Sequence, residues 1–79
     1  MKNSAEILAE RVEQRLKELG LTGYAASMTA IGKPDLVRDI QRGRMPSAPR
    51  LSALARALQT TPEWLLDETN QLRASAPAA

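Results

Sequence analysis

Apolar residues recur at three- and four-residue spacings in successive blocks of this chain, and polar turn residues separate the blocks. In the first block Ile7, Leu8, Val12, Leu16 and Leu19 share one face and predict a helix over 5–19. Asn3 or Ser4 is placed to cap it, acids lie early and bases late, and Gly20 ends it. Its remaining charges read as a solvated face. The second block, 23–30, consists mainly of small side chains and predicts a helix capped by Thr22. Small residues let another helix approach closely. In the third block Leu36, Val37 and Ile40 share a face and predict a helix of two to three turns over about 34–43. Pro34 suits its first position, Lys33 stands at its N-cap, and Gly43 suits its stop. Pro34, Asp35, Arg38 and Arg42 point away from the apolar face, with Asp39 and Gln41 on its flanks.

A fourth helix starts from Ser47, tolerates Pro49 in its first turn, and carries the stripe Leu51, Leu54, Ala55, Leu58. Thr61 and Pro62 open a short fifth helix in which Trp64, Leu65 and Leu66 bury, with Trp64 as a core anchor. No stretch has the period of a strand. The expectation is an all-α bundle of five helices, one domain over 1–68, followed by an Ala/Ser/Pro-rich tail or linker over 69–79.

Charge is informative only where it clusters. The net charge is +2, yet residues 33–50 hold five positive side chains against two negative ones. A local basic patch is the electrostatic footprint of nucleic-acid binding. The chain has no Cys and no His. That excludes disulfides, thiolate zinc sites, Cys–His or Ser–His nucleophiles and imidazole acid–base chemistry. Asp35 and Asp39 can face each other across a turn, but two carboxylates alone make neither a metal site nor an acid–base pair. No enzyme, cofactor, metal or small-molecule ligand is expected. No apolar run is long enough for a membrane span and no signal peptide opens the chain, so a cytoplasmic, nucleoid-associated protein is expected.

Over roughly residues 8–67 the chain resembles a known family. A small-residue helix, a turn, a Pro-Asp helix and Arg-Gly-Arg are similar to the helix-turn-helix of lambda-type phage repressors and Cro-like proteins. Residues 54–58 and 61–66 resemble that family's last two helices. The pattern is closest to the N-terminal domain of bacterial and prophage repressors that carry a LexA-type self-cleaving C-terminal domain. The resemblance implies a transcriptional repressor or regulator that binds a two-fold operator in double-stranded DNA as a homodimer. It implies that Ala26, Ala30, Val37 and Ile40 are buried and that Ser27 is a required small residue. It implies that Lys33, Pro34, Asp35, Arg38 and Asp39 face base edges in the major groove. Thr22, Gly23, Tyr24, Arg42, Arg44, Ser47 and Arg50 are implied to contact phosphates.

Physics accommodates these roles. An α-helix fits the major groove, and Arg38 can hold guanine O6 and N7 together. Asp35 either accepts from cytosine N4 or only stabilises the helix dipole. Asp39 either faces a base or is solvated or paired with Arg42 or Arg38. Three departures stand out. Ile31 and Gly32 exchange the family's usual order, which lengthens the second helix by one residue and tilts the third. Lys33 replaces a capping Ser or Thr. Gln59 replaces the Gly that ends the fourth helix, where a left-handed residue costs about 1 kcal/mol. The alternative reading is an antitoxin-like protein-interaction module with secondary DNA binding.

Overall fold

A computed structural model describes residues 3–67. The expected tail at 69–79, the first two residues and position 68 lie outside the described residues. Helix α1, Ser4–Leu19, starts where the Asn3 side-chain oxygen accepts from the Glu6 N–H at 2.9 Å. Helix α2, Gly23–Ile31, starts on Thr22, whose Oγ1 accepts from the Ala25 N–H at 3.0 Å. It runs one residue past the small-residue block, as the Ile31–Gly32 exchange implies. Gly32 takes the left-handed ending and its N–H closes onto the Met28 carbonyl. Helix α3 is Leu36–Gln41, α4 is Ala48–Ala57 and α5 is the single turn Pro62–Leu65.

The five helices form an all-α bundle, with no strand among the described residues. Helix α2 packs on α3 and α4, α1 contacts α3 and α5, and α4 contacts α5. Every helix sends its apolar stripe to one shared core. Leu8, Val12 and Leu16 come from α1, Ala26 from α2, and Leu36, Val37 and Ile40 from α3. Leu51, Leu54, Ala55 and Leu58 come from α4 and its end, and Leu65 from α5. No described helix is long and apolar enough to cross a membrane.

Three burial expectations are corrected, one of them at Leu66, which is half-buried against the core. Ala30 is half-buried at the edge of the core. Trp64 is also half-buried, and Leu65 beside it is the residue that α5 buries completely. A single turn can drive only one side chain fully inward. The indole is instead covered by the Arg11 guanidinium, 4.6 Å from the ring centroid. Arg11 also pairs with Asp67 at 2.8 Å, which ties α1 to the end of α5. These α1 charges are therefore packed rather than merely solvated.

The fourth helix ends as the Gln59 departure implies. Gln59 takes the left-handed conformation, at φ 57°. Its N–H donates to the Arg56 carbonyl and that of Thr60 to the Ala55 carbonyl, the double closure that glycine ordinarily supports. Arg15 reaches across from α1: its Nε donates to the Leu58 carbonyl at 3.0 Å. Replacing Gln59 by Gly removes a strain of about 1–2 kcal/mol but restores about 0.5–1 kcal/mol of unfolded-state entropy. Gln59→Gly should therefore stabilise the fold by about 0.5–1 kcal/mol. Denaturant unfolding checks this, and a lower midpoint would mean that the glutamine side chain contributes more than its backbone strain costs.

Candidate nucleic-acid interface

The short helix α3 cannot stand by its own hydrogen bonds, because nucleating a helix this short is unfavourable. Its inner face is held by Leu36, Val37 and Ile40, all buried. Its start is held by α2. Ser27, fully buried, donates its hydroxyl to the Gly23 carbonyl at 2.7 Å and accepts the Val37 N–H at 3.0 Å. The first turn of α3 is thus capped by a side chain from another helix. Gly23 makes the approach possible: a Cβ there would lie 3.0 Å from Val37 Cγ1.

This arrangement corrects the expected helix start. The N-cap position is Asp35, with helical backbone angles and no side-chain cap bond, and Pro34 and Asp35 form a turn that leads into α3. Lys33 stands two residues before that position and is not the cap. A local capping hydroxyl is unnecessary because Ser27 serves the first turn. The expected span of 34–43 shrinks to 36–41 by losing this turn at one end. At the other, Arg42 is the half-in residue and Gly43, left-handed at φ 94°, closes the helix. The Arg44 N–H then returns to the Asp39 carbonyl at 3.0 Å.

Lys33, Pro34, Asp35, Arg38 and Arg42 are exposed. Asp35, Arg38 and Arg42 follow one another at three- and four-residue spacings along the outer face. Asp35 and Arg38 are joined, Oδ1 accepting from Nη2 at 2.6 Å. Asp39 is half-buried and pairs with neither Arg38 nor Arg42. It lines instead a groove of about 410 Å³ between α3 and the start of α4. Buried Leu36 and Ile40 floor that groove, and exposed Arg44, Ser47 and Arg50 rim it. So three of the expected phosphate contacts converge at this groove. Ser47 is the N-cap of α4 but makes no side-chain cap bond, which leaves its hydroxyl to the groove.

Thr22, Gly23 and Tyr24 lie at the start of α2, brought beside α3 by the Gly23–Val37 approach. Tyr24 is 64% exposed; Met28, one turn on in α2, and Leu21, just before the N-cap, are exposed as well. Sequence reasoning saw small residues in α2 and overlooked these outward apolar side chains, although positions 24 and 28 have the spacing of one helical face. Lys33, Arg42, Arg44 and Arg50 make no ion pair among the described residues. No group of three or more potential metal-ligating side chains occurs among them either. Compared with known proteins, the chain matches no family model, no curated protein and no solved structure.

Ser27→Ala should destabilise the fold by about 1–3 kcal/mol, because it strands the buried Val37 N–H. Gly23→Ala should cost a similar amount through the contact with Val37, about 1–3 kcal/mol for overpacking. Adding Val37→Ala to Gly23→Ala should then cost less than Val37→Ala costs in the native background. Chemical unfolding of the three variants tests the arrangement. A Ser27→Ala protein as stable as the parent would show that α3 does not depend on this hydroxyl.

Proposed function

We propose that the protein is a sequence-specific double-stranded DNA-binding regulator of transcription, acting as a repressor. Helix α3 enters the major groove, where Lys33, Pro34, Asp35, Arg38 and Asp39 meet base edges. Thr22, Gly23, Tyr24, Arg42, Arg44, Ser47 and Arg50 hold the flanking phosphates. The observation that carries the reading is the set of four unpaired cations, Lys33, Arg42, Arg44 and Arg50, exposed around a helix locked to its neighbour. Surface cations that pair with no protein carboxylate are free to replace the counterions of a phosphate backbone. A helix oriented by a buried hydrogen-bond relay presents its outer face in one register, which base recognition requires. Two copies on a two-fold site, with half-sites about one helical turn apart, would double the contacts.

A second reading rests on a different observation. Leu21, Tyr24 and Met28 offer exposed apolar surface on α2 and just before its start. That favours an antitoxin-like module which holds a protein partner and binds DNA secondarily.

Selection of duplexes from a random pool, followed by salt-dependent titration on the selected site, tests the first reading. The DNA-binding reading expects a two-fold consensus. With Arg42, Arg44 and Arg50 each neutralising a phosphate, it expects a log–log salt slope of about −3 per protomer. Arg44→Ala should weaken all duplexes alike and reduce that slope by about one unit. Absence of duplex binding even at low salt would overturn the reading.

A further inference from the structure

On the reading of α3 as the helix that meets base edges, the Asp35–Arg38 pair lies on its reading face. We propose that Asp35 is a positioning residue: it holds the Arg38 guanidinium so that the pair reads guanine as one unit. The two side chains meet at 2.6 Å, three residues apart on the outer face, and both are more than half exposed. An exposed pair of this kind contributes little to folding. Its consequence is for the side chains themselves. A free arginine samples many rotamers and loses them on binding, whereas a guanidinium already held by a carboxylate loses fewer.

The hydrogen-bond inventory permits the role. The guanidinium has five N–H donors, and a bond from Nη2 to Asp35 leaves enough for a forked contact to guanine O6 and N7. The pairing also answers an electrostatic difficulty. A lone carboxylate on this face would repel phosphates and the acceptor edge of guanine, while a carboxylate neutralised by Arg38 does not. Water leaves the interface when the helix enters the groove, and the attraction between the two charges strengthens as the local dielectric falls. Asp35 thus acts through Arg38 rather than by reading a base alone.

The test uses the full 79-residue chain with Asp35→Ala, Arg38→Ala and the double variant, and Asp35→Asn as the conservative replacement. Affinity is measured for the selected duplex and for duplexes changed at each base pair, at one salt concentration. Arg38→Ala should lower the preference for guanine at one base pair by about 5- to 150-fold. Asp35→Ala should lower the preference at that same base pair by about 2- to 10-fold, and should add nothing in the Arg38→Ala background. Asp35→Asn keeps an acceptor oxygen and should retain part of the preference. Melting curves should stay close to the parent's, since both side chains are exposed and Asp35 makes no cap bond. A loss at a different base pair that adds to that of Arg38→Ala would make Asp35 an independent base reader and overturn the proposal. Tighter binding of Asp35→Ala to every duplex, with preference intact, would overturn it as well, by reducing Asp35 to a counter-charge. A parent chain that prefers no duplex sequence would instead remove the reading of α3 on which the proposal rests.

Discussion

The orientation of the candidate surface depends on one buried hydroxyl. Ser27 donates to Gly23 within α2 and accepts from Val37 in α3, so a single side chain joins the first turns of two helices. A hydroxyl buried without partners would cost about 1–3 kcal/mol. Here both its donor and an acceptor position are used, and the burial costs little. The benefit is directional. Apolar contacts from Leu36, Val37 and Ile40 hold α3 against the core but tolerate sliding, whereas a hydrogen bond of 3.0 Å to one N–H fixes where the helix begins. The bond forms only because Gly23 has no Cβ to push Val37 away.

The opposite end of the bundle is secured differently. Helix α4 ends on a left-handed glutamine and α5 is a single turn, so neither element is locally comfortable. Two arginines on α1 supply the missing constraints. Arg15 donates to the Leu58 carbonyl, left open where α4 ends. Arg11 lies over the Trp64 ring and pairs with Asp67. The arginines span the helices with long side chains, which suits a small domain whose core cannot reach every residue. The half-burial of Trp64 follows from this: its outer face is closed by a cation and not by further apolar packing.

Much of this was legible in the chain. Helical spacing located α1, α3 and α4, small residues after Thr22 located α2, and Thr61-Pro62 located α5; Asn3, Thr22 and Thr61 cap as their side-chain oxygens suggest. Gly20, Gly32 and Gly43 end their helices in the left-handed conformation. The errors share a cause. Local spacing points to a cap among the residues beside α3, but its capping oxygen comes from ten residues earlier, across a helix contact that local spacing does not encode. The α1 arginines looked solvated for the same reason, since their acceptors at Leu58 and Asp67 become neighbours only in the folded chain. The outer face of α3 was legible as a set of positions, but the bond between Asp35 and Arg38 depends on rotamers. Periodicity is silent on rotamers.

The net charge of +2 conceals a division of labour among the cations. Arg11, Arg15 and Arg38 are committed to carboxylates or carbonyls of the protein itself. Lys33, Arg42, Arg44 and Arg50 are not; Lys17 on α1 and Arg56 on α4 make no ion pair among the described residues either, but these four cluster from just before the turn that opens α3 to the first turn of α4. A count of charges treats the two groups alike. Physically they differ, because a cation already paired has little counterion left to release, whereas an unpaired one contributes fully to a polyanion's binding energy. The effective charge that this face offers a polyanion is therefore higher than the overall balance suggests. It is concentrated beside the one helix that the Ser27 bond holds in register.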